Sequence, residues 1–298
     1  MSEAHLFRVV YAADTHFRLM ETSGAGPATW KINMNIEGTA TDVLVRDIVT
    51  TDNDVPTHRG MDVQVVVPAS DIQNAVVSAD RAAQTVLSLQ SAAARAPIHS
   101  LQPFVAYDIT PGATARLLMQ WFPTPEFPTA KTAVPADAFR LLHKGLHTLS
   151  DQRLSKRLHL SIDWHRAAVR ETEPLFRFLS MWAALEAVGN PVSEKYAVDV
   201  RGWHGLRCLA QDRGRASEVI SEVLDVRRHL MHDLSVRPAD IRPRAQRLVP
   251  VMEDLVIAAW ALLLGAPQAV SDFPKSSVTA HPMRQVFKVI LLDEDEAQ

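Results

Sequence analysis

The stretch PTPEFPTAKTAVPA, residues 123–136, carries four prolines. Proline fixes φ and has no amide hydrogen to donate, so neither a regular helix nor a central strand runs through such a segment. The chain on either side must fold from separate sets of elements. Before the prolines, strand-like segments are interrupted by one helical stretch; after them, up to about residue 265, the pattern is helical.

On the N-terminal side, HLFRVVYA (5–12) and WKINMNIEG (30–38) read as strands, with the turn-rich ETSGAGPAT between them, and together they predict a hairpin. DVLVRDIVT (42–50) and MDVQVVVPA (61–69) predict two more strands. Residues 71–96 are Ala-rich, open with Asp71 as an N-cap and stop before Pro97, which predicts a helix. FVAYDIT (104–110) and ARLLMQWF (115–122) return to strand-like content. On the C-terminal side, helices are predicted over 137–150, 151–171, 173–188, 216–234 and 243–265, with a looser helical region around 195–213 and one added strand at 286–292. The expected fold is therefore an α+β N-terminal domain (1–125), a Pro-rich linker (126–136), an all-α helical bundle (137–270) and a tail (271–298).

Composition narrows the function. The 298 residues are 47% hydrophobic, enough for two cores. A formal net charge of −3 gives no global sign of nucleic-acid or membrane binding, so any polyanion site must be a local patch. Cys208 is the single cysteine, which excludes an internal disulfide and cysteine-based zinc or redox motifs. The opening MSEAHLFRVVYAAD has neither the basic flank nor the apolar run of a secretory signal, and LVIAAWALLLG (255–265) is too short to span a bilayer. A cytoplasmic protein without membrane association is expected. No P-loop, GxGxxG or GxSxG motif is present, which disfavours P-loop ATPase, Rossmann and α/β-hydrolase chemistry.

The segment EVLDVRRHLMHDLS (222–235) places Arg227, Arg228, His229 and His232 within six positions of one predicted helix. Such a cluster is either a solvated face or a place where a phosphate is handled. Arg228 and His232 share a face at i,i+4, while Arg227 and His232 lie about 140° apart on an ideal helix. In the 173–188 helix, Leu175, Leu179, Trp182 and Glu186 fall on one stripe. Glu186 there either reaches water at a rim or faces the basic cluster and orients it. His143 and His147, at i,i+4, match a two-ligand metal spacing but have no third ligand at a familiar distance. The excess of Arg and Lys over 140–170 reads equally as a solvated face or as a track for a phosphate backbone.

EPLFRFLSMWAALEAV (173–188) resembles the first core helix of HEPN domains, in particular the ApeA-like branch. The resemblance lies in Glu173-Pro174, Phe176 and Phe178, Trp182, and the Leu185-Glu186 pair. VLDVRRHLMHDL resembles the signature helix of the same family, with Arg227, four intervening residues, then His232. The likeness covers about residues 150–265. It implies a HEPN-like bundle that forms a homodimer and a metal-independent endoribonuclease without cofactor, acting on RNA in stress response or anti-phage defence. It implies His232 as general base or acid and Arg227 as the brace for phosphorane charge. Arg228 and His229 would support the site, and Glu186 would orient it from behind. A non-catalytic module that dimerises and binds RNA, a nucleotide or a protein is the alternative.

Overall fold

The structure, a computed structural model, describes residues 5–15, 17–19, 29–36, 39–52, 55–112, 114–120, 132–149, 152–188, 213–232 and 237–266. The chain divides into two compact units, Met1–Ala136 and Asp137–Gln298.

The first unit is built on a six-stranded sheet. Its strands are β1 (His5–Thr15), β3 (Thr29–Ile36), β4 (Thr39–Asp52), β5 (Val55–Ala69), β6 (Ile98–Asp108) and β7 (Arg116–Gln120), in the order β3-β4-β5-β1-β6-β7. Every neighbouring pair is antiparallel. A separate short parallel pair joins β2 (Phe17–Leu19) to β8 (Thr132–Val134), so the end of the proline-rich stretch is a strand.

The hairpin expected between the first two strands does not form. β1 sits between β5 and β6, and β3 pairs with β4 instead. The strand assignments were local, but pairing is decided by which apolar faces line up. Val9 and Tyr11 of β1 lie beside Val65 and Val63 of β5, which in turn lie beside Val43 and Val45 of β4. All six are buried. They form one valine-rich face, and a one-residue slip would turn every one of them outward.

Helix α1 (Ile72–Ala94) covers that face. Its buried positions Ala75, Ala79, Ala82, Ala83, Val86 and Leu87 repeat at three and four residues, and their small side chains let the helix sit close to the sheet. Asp71 caps its start, accepting from the Asn74 amide at 2.9 Å. The Tyr11 hydroxyl donates to the Val76 carbonyl at 3.3 Å, fixing helix to sheet, and burial raises its pKa.

The second unit contains α2 (Ala136–Thr148), α3 (Gln152–Arg170), α4 (Pro174–Val188), α5 (Arg213–His232) and α6 (Pro238–Leu263). Pro174 and Pro238 stand at first helical positions, where the missing amide costs nothing. Glu171 closes the short α3–α4 connection by accepting from the amides of Thr172 and Glu173, both at 2.9 Å.

The expected fold class is corrected here. The chain is α+β overall, an antiparallel six-stranded sheet followed by helices, and the helices are not a separate all-α bundle domain. A bundle closes when each helix buries an apolar stripe against two neighbours. Among the described residues α4 does so most fully, with α3 on one side and α6 on the other. Helix α5 meets α6 over a short stretch and α4 at fewer points still. Helix α2 reaches the end of α6 through Gly145, where an added Cβ would collide with Leu264. Of the looser helical region expected around 195–213, residues 195–212 lie outside the described residues, as does the strand expected at 286–292.

Candidate functional site

Helix α5 is held by Val223 and Val226, both fully buried. With these two turned inward, Arg227 points along the flank of α5 toward α4. Its Nη2 lies 3.8 Å from Glu186 Oε1, and its Cζ lies 5.5 Å from the centroid of the Trp182 ring. Trp182 and Glu186 are four apart on α4 and share a face, so one guanidinium meets both. Arg227 Nη1 lies 3.2 Å from His232 Nε2. The length of the arginine side chain closes the angular gap that the ideal helix leaves between positions 227 and 232.

The side chains of Arg227 and Glu186 are 25% and 30% exposed. A pair at that depth and separation contributes little stability, about 1 kcal/mol or less. Glu186 Oε1 and Arg227 Nε are inaccessible to solvent yet have no hydrogen-bond partner among the described residues.

The other two members of the cluster turn away. Arg228 Nη2 bonds Asp225 Oδ1 at 2.8 Å. His229 Nδ1 bonds the Asp225 backbone carbonyl at 2.8 Å and lies 3.5 Å from its carboxylate. Arg244 of α6 bonds Asp225 Oδ2 at 2.9 Å, and Arg247 pairs with Glu222. Asp225 is held below the usual carboxylate range, first by the Arg244 hydrogen bond, against the opposing effect of burial, and then by the His229, Arg244 and Arg228 charges. The structure therefore divides the four cationic residues. Arg227 and His232 meet, while Arg228 and His229 are engaged with Asp225. The i,i+4 pairing of Arg228 with His232 is not made.

The stripe expected on α4 is also rotated. Phe178, Met181, Trp182 and Leu185 are buried, while Leu175 and Leu179 are only half-buried. Glu186 thus stands at the edge of the buried face rather than in it. His143 and His147 stack edge to face, ring centroids 4.6 Å apart. Among the described residues no group of three His, Cys, Asp or Glu is placed to hold a metal.

Burial lowers the pKa of His147. It also lowers that of His159, where His147 adds to the effect and Asp163 opposes it. Rings with depressed folded-state pKa values bind protons more readily in the unfolded chain. Their contribution is fully present above the unfolded value of about 6.5 and is lost as pH falls through the lower folded-state values. Urea midpoints at pH 7.5 and 5.5 should therefore fall less in His159→Gln than in the wild type. Equal falls would place the loss elsewhere.

One polar constellation had no counterpart in the sequence reading. His165 of α3 and Glu253 of α6 are both buried, with Nε2 and Oε1 3.3 Å apart. Trp260 stands edge-on to His165 at 5.1 Å, its Nε1 donates to Ser161 Oγ at 2.7 Å, and Ser161 donates to the Ala184 carbonyl at 2.6 Å. The signal was available. Val249, Glu253, Val256 and Trp260 are spaced four, three and four, the pattern that singled out Glu186.

The chain matches no protein-family model, no curated protein and no solved structure. The HEPN resemblance rests on its two helical motifs alone. No described helix is long and apolar enough to cross a membrane.

Proposed function

We propose that this chain is a metal-independent endoribonuclease in which Arg227 and His232 act on one phosphodiester. The observation that supports the reading is their direct contact, Nη1 to Nε2 at 3.2 Å. That contact is a hydrogen bond only when Nε2 is unprotonated, its lone pair accepting from the guanidinium. A phosphate arriving at the pair would draw the guanidinium from imidazole to the non-bridging oxygens and so free Nε2.

The RNA 2′-hydroxyl then attacks the adjacent phosphorus while His232 accepts its proton. Arg227 braces the charge on the equatorial oxygens, and Glu186 with Trp182 holds the guanidinium from behind. The bond to the 5′ oxygen breaks, and that oxygen takes a proton from water or from His232 of a second copy across a two-fold cleft. The products are a 2′,3′-cyclic phosphate and a 5′-hydroxyl.

A second reading is a non-catalytic module that binds a nucleotide, RNA or a protein. It is favoured by the pairing of Arg228, Arg244 and Arg247 with Asp225 and Glu222, which leaves fewer cations to track a long backbone.

The test uses wild type and the Arg227→Ala/His232→Ala double variant, incubated with tRNA and total RNA in EDTA. Fragments ending in 2′,3′-cyclic phosphate from the wild type alone are expected. Intact RNA with both proteins, together with tight binding by the wild type, would favour the second reading.

A further inference from the structure

In the first unit α1 covers one face of the sheet, and no described helix of that unit covers the other. That open face carries a cavity of about 450 Å³, within the range that holds small ligands. Its floor is Val10. One end is marked by Arg8, opposite Tyr107 of β6, and the other by Asp62, opposite both Ala12 of β1 and Arg46 of β4. Arg8 and Ala12 are four residues apart on one strand, so the ends lie about 13 Å apart.

A register shift after Val10 makes Phe104 the extra residue of a β-bulge, since Val10 faces Val105 and Tyr11 faces Pro103. Bulges re-aim side chains. Here Phe104 and Tyr107 both line the cavity.

The charges at the two ends differ in kind. Asp62 Oδ2 accepts from Arg46 and from Gln64, so the far end is neutralised within the protein. Arg8 is exposed and has no ion pair among the described residues. Among the described residues the cavity thus offers one guanidinium without an ion pair, two aromatic rings and apolar lining from Val10, Ile48 and Val105. A guanidinium fork matches the oxygens of a carboxylate or phosphate, and aromatic walls suit a planar body.

We propose that this cavity binds a small planar anion, a carboxylate or phosphomonoester. Arg8 grips the anionic group, and Phe104 and Tyr107 flank the ring. The inference is independent of any nuclease activity in the helices.

The test is calorimetric titration of the full chain with 2-naphthoate, 2-naphthyl phosphate and the neutral 2-naphthamide. At least one anion is expected to bind about tenfold or more tightly than the amide, and the better of the two identifies the head group. Arg8→Gln should bring anion and amide to within about threefold of each other. Arg8 lies on the surface, so the variant should keep the wild-type melting temperature. Equal affinity for anions and amide, no anion binding at millimolar concentration, or an anion preference that survives in Arg8→Gln would overturn the proposal.

Discussion

Trp260→Ala should destabilise the helical unit by about 3–5 kcal/mol, the range for removing a large buried aromatic side chain. Trp260 is fully buried. Its loss removes the packing of the indole and the edge-on contact with His165. It also breaks a relay that runs from Trp260 Nε1 to Ser161 Oγ and on to the Ala184 carbonyl. Three helices, α6, α3 and α4, meet in that relay, so the substitution loosens the helix that carries most of the packing. Typical domains have about 5–15 kcal/mol in total, so the variant should be near its folding limit.

Trp260→Phe separates the two contributions. It keeps most of the ring packing but leaves the buried Ser161 oxygen without its donor, for about 1–2 kcal/mol. Urea denaturation followed by circular dichroism at 222 nm checks both values. A loss below about 1 kcal/mol in Trp260→Ala would mean that the relay does not hold these helices together.

Much of the architecture was legible because it is written in local periodicity. The strands containing 42–50 and 61–69, the helix capped by Asp71, and the helices starting near 137, 151 and 173 all follow from runs of one period bounded by caps or prolines. What was not legible is what those elements do to one another. HLFRVVYA reads as a strand, but nothing within it says that it belongs between β5 and β6. That choice depends on Val43, Val45, Val63 and Val65, which lie far along the chain. The helices were read as a bundle from their unbroken succession and from the HEPN resemblance. Amphipathicity shows that a helix buries a face, not how many neighbours share it, and here α4 takes nearly all of that packing.

The candidate site was legible in the same partial way. Spacing brought attention to Arg227, Arg228, His229 and His232 as one group. It could not say that Asp225, two residues before Arg227, would take Arg228 and His229 and receive Arg244 from another helix. Ideal helix geometry set Arg227 apart from His232, yet a long side chain spans the gap. Glu186 was flagged as a carboxylate on an apolar stripe. His165 and Glu253 met the same criterion more fully and are the more deeply buried pair.

Arg227→Lys should lower RNA cleavage by about a hundredfold or more, the usual effect of removing one preorganised donor to a developing oxyanion. Lysine keeps the positive charge but is a compact ammonium that cannot fork across two phosphoryl oxygens. It also cannot present a planar face to Trp182, so the group would be held less firmly between that ring and Glu186. His232→Gln removes proton transfer while keeping a polar side chain, and should cost about 10²–10⁴-fold. If the two residues act as a unit, the double variant should lose little more than the worse single variant. Neither side chain is in the core, so melting temperatures should stay near wild type and the losses would belong to chemistry. Single-turnover cleavage rates supply the numbers. Fluorescence anisotropy with a 2′-deoxy analogue, which cannot be cleaved by this route, supplies the binding. An Arg227→Lys rate within about threefold of wild type would show that the guanidinium is not on the phosphate. A loss in binding equal to the loss in rate would instead assign Arg227 to holding the RNA in its ground state, which is the role the non-catalytic reading gives it.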